Sequence, residues 1–338
     1  FHSVRKLDVL QDLLEDNSVT EIMVNGPDSI FVEREGKIKR WNRSFTSKEK
    51  LEDVIQQIVG KCNRVVNEAS PIVDARLESG ERVNAVIAPV ALNGPILTIR
   101  RFSKQPITME KLLQLGSLTE ECVRFLSKMV QARYSILVGG GTGSGKTTFL
   151  GALSEYIPNE ERIITIEDNA ELRIQGIDNL VRLEAKAANL EGGRDITIRD
   201  LIKTALRMRP DRIIVGEVRS KEAVDMLQAL NTGHEGSLST AHANSTKDML
   251  SRLETMVLMG MNLPMEAIRR QIASGLDLLI HLGRMRDRSR KVLEITEVLG
   301  YENGEIQLNP LFCWKEGEGL VRTGDLVRAE KLARSGVA

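Results

Sequence analysis

Apolar and polar positions change period several times along this chain, and each change marks an element. EIMVNGPDSIFVEREGKIKRW, from residue 21, reads as two or three short strands. They break at Asn25-Gly26-Pro27 and Glu35-Gly36, where turn formers interrupt the apolar run. A helical stripe follows: Leu51, Val54, Ile55, Ile58, Val59 and Cys62 recur at helical spacing behind a capping box of Thr46 and Glu49. That spacing puts Cys62 in the core. RVNAVIAPVAL and PILTIRRF are strand-like runs joined at Asn93-Gly94, a hairpin-turn dipeptide. Residues 1–101 therefore predict a small α/β domain.

Residues 102–117, FSKQPITMEKLLQLGS, read as a connection between domains. A helix starts near Ser117, with Glu120 three residues on, and turns Val123, Leu126 and Val130 inward. Beyond it SILVGG, RIITIED, NLVRLEA, RIIVGEV and GSLSTAH alternate with helical runs. That alternation predicts a mainly parallel sheet covered on both faces over residues 118–338. No internal repeat or low-complexity tract interrupts it.

The densest chemical signal is VGGGTGSGKTTFL, residues 138–150. Gly140 to Thr147 fits G-x-x-x-x-G-K-[ST], with a strand leading in and the helix-forming TFLGALSEYI leading out. In that setting the backbone N–H groups of Gly141, Thr142, Gly143, Ser144 and Gly145 turn toward phosphate oxygens. The helix N-terminus at Lys146, Thr147 and Thr148 adds its positive end. Lys146 is the candidate for the β- and γ-phosphates, and the Thr147 hydroxyl is the candidate Mg2+ ligand.

Three further stretches supply candidate partners. In RPDRIIVGEVR the apolar run Ile213, Ile214, Val215 leads into Gly216-Glu217. The position that often holds an Asp is Gly216, which leaves Glu217 at the strand's C-terminal end to polarise an attacking water; a surface ion pair is the alternative. RIITIEDNAEL delivers Glu167, Asp168 and Glu171 to the same sheet edge, either to hold Mg2+ through water or to cap the next helix. TGHEGSLSTAHANS sets His234 and His242 on either side of the strand GSLST. They suit a γ-phosphate contact that vanishes after hydrolysis, or hydrogen-bonded core positions; with no Cys nearby, zinc has little support. GRMRDRSRKV, the densest basic run, lacks interleaved aromatics and reads as a solvated hairpin turn. The Met residues of MVLMGMNLPM read as core filling.

Composition narrows the field. The 338 residues suit about two domains. Lys+Arg and Asp+Glu are 47 each, a net charge of zero that argues against a strongly basic nucleic-acid binder. Cys62, Cys122 and Cys313 match neither a disulfide framework nor a zinc site, which points to a reducing, cytosolic compartment. No apolar run approaches the ~20 residues of a membrane-spanning helix. The chain opens FHSVRKLDVL, with neither an initiator Met nor a signal-peptide pattern, which leaves room for sequence upstream.

GGGTGSGKTT, TIEDNAEL, RPDRIIVGEVRS and TGHEGSLSTAHANS occur in that order. Order and wording together resemble the RecA-like traffic ATPases of type II and type IV secretion and type IV pili. ASGLDLLIHLGRMRDRSRKVLEITEVLG, then NPLF, and the N-terminal VDARLESGERVNAVIAPVALNGPILTIRRF resemble the tight-adherence pilus branch (CpaF/TadA-like). The resemblance covers nearly the whole chain. It implies a RecA-like P-loop ATPase domain with a C-terminal extension, preceded by a smaller α/β (PAS-like) domain.

By resemblance, Glu167, Asp168 and Glu171 stand in the family's Asp box, Glu217 in its atypical Walker B, where a glycine at the position of Gly216 is a family habit, and His234 and His242 in its His box. Arg82 and Arg100 resemble arginines that neutralise phosphate charge, with Arg76 and Arg101 as runners-up; Arg219 is a candidate for coupling between subunits. The implied protein is a homo-hexameric ATPase using ATP and Mg2+. It would sit on the cytoplasmic face of the inner membrane, against a platform protein of a pilus or secretion system, with no nucleic acid expected. A RecA-like nucleic-acid motor, a small-molecule kinase and a slow assembly switch remain the alternatives.

Overall fold

A computed structural model describes residues 7–102, 106–188 and 193–337. The chain divides into two compact units, Phe1–Gln105 and Pro106–Ala338.

The first unit runs α1 (Leu10–Glu15), β1 (Val19–Asn25), β2 (Ile30–Arg34), β3 (Lys37–Arg40), α2 (Lys48–Lys61), β4 (Ile72–Arg76), β5 (Arg82–Val86) and β6 (Ile96–Arg100). Its strands form an antiparallel sheet in the order β3-β2-β1-β6-β5-β4. Strand periodicity places Ile22, Val24, Val83, Ala85, Leu97 and Ile99 on one face. They form one core with Leu51, Val54, Ile55, Ile58 and Val59 of α2. The α2 cap is Ser47, not Thr46: the Ser47 residue is extended and its hydroxyl accepts from Lys50 N, one position later than the sequence pattern suggests. Cys62 is the half-buried C-cap of that helix and not a core residue. Asn93-Gly94 lies near the end of a longer β5–β6 connection, residues 87–95, so it does not make a two-residue hairpin.

The second unit begins with α3 (Met109–Gln114) and α4 (Glu120–Gln131). Helix α3 lies inside the expected 102–117 connection. Its Met109 and Leu112 are buried in the same cluster as Cys122, Leu126, Met129 and Val130 of α4. Residues 103–105 of that connection lie outside the described residues. There follow β7 (Ile136–Gly140), α5 (Lys146–Ser154), β8 (Ile163–Glu167), β9 (Leu180–Glu184), α6 (Ile198–Ala205), β10 (Arg212–Val218), α7 (Glu222–Asn231) and β11 (Leu238–His242). Then come α8 (Thr246–Gly260), α9 (Met265–Gly275), β12 (Leu278–Arg284), β13 (Arg290–Glu302), β14 (Glu305–Lys315), β15 (Gly319–Arg322) and α10 (Glu330–Ser335).

The sheet order is β15-β14-β13-β12-β7-β11-β10-β8-β9. Strands β12, β7, β11, β10, β8 and β9 are parallel, and β13 to β15 extend the sheet antiparallel. Core residues alternate between its faces: Ile136, Val138 and Ile280 join the α3–α5 cluster, while Leu137, Ile213, Val215 and Leu279 join that of α6 to α9. Burial from both sides explains why β7 and β8 are buried throughout their length. Of the methionines in MVLMGMNLPM, Met256 is core and Met261 and Met265 are partly buried against it, but Met259 is exposed.

The N-terminal ends of the parallel strands are pinned by one buried charge network. Arg212, fully buried at the start of β10, donates from Nε and Nη2 to the two Glu161 oxygens at 2.9 and 3.0 Å. Its Nη1 donates to Val130 O at the end of α4 (2.6 Å) and to Gly236 O before β11 (3.4 Å). Arg133 reaches Glu161, Asp211 O and Glu235 O from the entry to β7. Glu161→Ala would strand the Arg212 guanidinium without its bidentate partner. The expected loss is about 3–5 kcal/mol, read by urea denaturation; a loss under about 1 kcal/mol would show that solvent or neighbouring groups replace the carboxylate.

Candidate functional site

At the opposite, C-terminal ends of the parallel strands the phosphate loop, the acidic residues and His242 converge. This is the side of an open α/β sheet where ligands bind. Strand β7 sits between β11 and β12, so its exit is a switch point in strand order. The loop from Gly141 to Gly145 leads into α5. Gly143 and Gly145 have φ of 76° and 91°, values that favour glycine, and Gly145 is the helix N-cap. Ser144 is buried and its hydroxyl donates to Gly141 O at 2.7 Å, which braces the loop from within. Lys146 Nζ donates to Gly140 O and Gly141 O at 3.1 and 3.2 Å. Burial pushes its pKa down, the nearby Glu217 carboxylate pulls it back up, and Arg219 adds to the lowering. Thr147 and Thr148 follow on α5, half-buried.

Glu217, near the end of β10, accepts from Arg219 Nη2 at 2.9 Å, and Arg219 Nη1 lies 3.5 Å from Asp168 Oδ2. Lys146, Glu217, Arg219 and Asp168 thus form one electrostatic group. Burial raises the Asp168 pKa, Arg219 opposes it, and Glu222 and Glu217 add to the rise. Glu222, which the sequence reading did not single out, is buried and accepts from Arg219 N (2.7 Å) and Ser220 N (3.0 Å), fixing the turn after β10.

Glu167, at the end of β8, is buried. Its Oε1 accepts from Glu171 N (3.0 Å) and Leu172 N (2.9 Å), while Oε2 is buried with no hydrogen-bond partner. Burial raises its pKa, and the two backbone N–H bonds only partly counter this. Its neighbour across the sheet explains Gly216: a Cβ there would stand 2.8 Å from Glu167 Cγ. The strand therefore lacks a side chain at Gly216 because the Glu167 side chain from β8 occupies that space. Glu171 itself is half-buried, and its backbone belongs to the same turn.

The two histidines part company. His242 ends β11 in register with Gly140, beside the start of the phosphate loop. His234 precedes β11, at the edge where Arg212 and Arg133 lie, and its Nδ1 is buried without a partner. Within this chain the expected pairing of both histidines at one phosphate is therefore not met, because a whole strand separates them. A residue that the sequence reading passed over, His281 of β12, flanks β7 on the other side, in register with Gly139. Burial lowers its pKa, against the pull of Glu294 and Asp248.

In the first unit Arg82 lies directly opposite Arg100, and Arg76 opposite Arg82. Three arginines thus stand in one row across β4, β5 and β6, continued on β1 by Glu21. Arg101 is spoken for: its side chain is largely buried, and Nη1 donates to Leu13 O, Asp16 O and Val19 O. Among the described residues no group of three or more His, Cys, Asp or Glu is arranged to hold a metal on its own. No described helix is long and apolar enough to cross a membrane.

A glycine loop between a central strand and a helix, with acidic strand ends along the same sheet edge, defines a RecA-like α/β domain of the P-loop class. The chain belongs to the type II/IV secretion system protein family, whose model matches residues 4–313. It is 35% identical over 333 residues to a putative conjugal transfer protein of Mycobacterium tuberculosis, covering 97% of this chain and 93% of that one. It is 33% identical over 303 residues to the type IV secretion system protein VirB11 of Brucella suis, covering 82% and 84%. The fold is that of the pilus retraction motor PilT solved with bound ADP, at TM-score 0.62 and 20% identity over 97% of this chain and 86% of that one. It is equally that of the Legionella pneumophila ATPase DotB, at TM-score 0.60 and 20% identity over 88% and 81%.

A raised carboxylate pKa means that the folded state holds its proton to higher pH than the unfolded state. Stability from Glu167 is therefore full below the unfolded value and declines as pH rises through the folded one. Glu167→Gln should remove that decline. Its melting temperature relative to the native protein should climb as pH rises above the unfolded carboxylate range. A melting difference that stays flat with pH would mean that Glu167 is not held against ionisation.

Proposed function

We propose that this chain is an ATP-hydrolysing motor subunit that powers protein export or pilus assembly. The observation that carries the reading is the meeting of Lys146 and Glu217 at the C-terminal sheet edge, one on the phosphate loop and one on an acidic strand end. The loop N–H groups and Lys146 would bind the β- and γ-phosphates, phosphate oxygens replacing the Gly140 and Gly141 carbonyls as partners of Nζ. Glu217 would orient water for in-line attack on the γ-phosphorus, giving ADP and phosphate. His242 is the candidate contact to the γ-phosphate. The partnerless Glu167 Oε2 and the Thr147 hydroxyl suit a hydrated Mg2+, held directly by Thr147 and through water by Glu167, with Asp168 and Glu171 near. That ion would neutralise charge between the phosphates.

Arg82 and Arg100 would neutralise further phosphate charge, from the same chain or a neighbouring copy. Their cross-strand pairing supports this, because like charges directly opposite one another gain from a shared anion. Assembly as a homo-hexamer, a place on the cytoplasmic face of the inner membrane and docking to a membrane platform protein belong to the same reading. The names of the secretion and conjugal-transfer relatives support an envelope-transport role. The tight-adherence branch rests on the sequence wording of the C-terminal third and of the N-terminal run VDARLESGERVNAVIAPVALNGPILTIRRF.

Phosphate release from MgATP, measured per subunit across protein concentration, tests the motor. Specific activity is expected to rise as the protein assembles; a fully active monomer would remove the ring. Glu217→Ala is expected to lower release about 100-fold or more while ATP binding is retained, and a variant that still turns over would return Glu217 to a surface ion pair.

A further inference from the structure

The basic run GRMRDRSRKV forms the β12–β13 hairpin turn, yet two of its arginines lean onto the phosphate loop. A Cβ added to Gly143 would lie 3.3 Å from Arg284 Nη1. One added to Gly145 would lie 3.1 Å from Arg290 Cδ and 3.8 Å from its Nη1. Strand β12 runs parallel to β7, with Leu282 in register with Gly140, so the hairpin turn emerges at the same edge as the loop.

The local backbone directs these side chains. The β12–β13 register shifts by one residue after His281, leaving Leu293 as the extra residue, and a Cβ at Gly283 would collide with the Leu293 side chain. Such a bulge re-aims the strand end. Beyond it Arg284 stands directly opposite Arg290. Like charges in that position repel. The nearest acid in sequence does not relieve them: Asp287 Oδ1 accepts from Ser289 N and Oγ, closing the turn. Among the described residues neither Arg284 nor Arg290 has an ion pair or side-chain hydrogen bond. Two exposed arginines thus stand together beside Gly143 and Gly145 of the phosphate loop, where backbone N–H groups already favour an anion.

Strand order tells which part of the ligand they meet. The carboxylate strands β10 and β8 lie on the β11 side of β7, and the arginine hairpin lies on the β12 side. Water attack belongs to the carboxylate side, so the arginines face the part of the nucleotide that does not react. We infer that Arg284 and Arg290 are nucleotide-binding residues that grip the α- and β-phosphates, the portion shared by a nucleoside triphosphate and its diphosphate product. This rests on the nucleotide reading above and assigns a role to the hairpin that the basic composition alone does not.

The test is calorimetric titration of the full chain with MgATP and with MgADP, for the native protein, Arg284→Met/Arg290→Met, and Arg286→Met in the same turn as control. The double variant is expected to weaken ATP and ADP alike, by about tenfold or more. Arg286→Met should bind as the native protein does. Unchanged affinities in the double variant, or a loss for ATP alone, would overturn the assignment; the second result would move the arginines to the γ-phosphate. A native protein that binds neither nucleotide would instead sink the ATPase reading itself. Should the double variant fail to fold, phenylglyoxal labelling of the native chain gives the answer. ADP is expected to protect Arg284 and Arg290 but not Arg286, and equal labelling with and without ADP would overturn the assignment.

Discussion

The second unit depends on a guanidinium that water never reaches. Arg212 is too costly to bury unless every donor finds an acceptor, and the acceptors come from the segments that precede β8 and β11 and from the end of α4. Satisfying one charge therefore fixes several chain segments relative to one another at one sheet edge. Asp277 does similar work next door: its Oδ2 accepts from Ser135 N and Lys331 Nζ, tying the starts of β12 and β7 to the C-terminal helix. Parallel strands anchored at their beginnings deliver their ends in fixed register at the other edge.

That division of labour separates two kinds of polar group. At the N-terminal edge charges are paired and bonded to backbone, which rigidifies. At the C-terminal edge several groups are left with unused capacity: Glu167 Oε2 has no partner, Lys146 bonds only its own loop, and Arg284 and Arg290 face each other. Groups held in such arrangements cost stability unless a ligand completes them. The close fit of Glu167 over Gly216 belongs with these. A carboxylate from one strand fills the place that a side chain on the next would have used, so the acidic centre of the edge is shared between β8 and β10.

Much of this was legible in the chain itself. The five parallel-strand runs, the phosphate loop with its helix and the α2 stripe are local patterns, because period and glycine placement act within a few residues. Element ends were less legible. Thr46 and Ser47 are both plausible caps, and only the bonded geometry selects Ser47. The 102–117 segment hid a helix because six residues give little periodicity, and Met109 and Leu112 acquire their meaning from the α4 cluster they join.

The sequence by itself determined which residue types could meet a phosphate and on which kind of element each sits, since the backbone preferences of glycine, apolar period and capping are local. Only the tertiary structure decided which of them meet. Strand order put β12 beside β7 and so turned a basic hairpin that reads as solvated into a neighbour of Gly143 and Gly145. Strand direction sent His242 to the loop and left His234 at the far edge, although eight positions separate them in sequence. Burial raised the Glu167 pKa, and the Glu167 side chain lying over the next strand explained Gly216. Each of these depends on which distant segments lie side by side, a property set by packing of the whole sheet and invisible to any short window of residues.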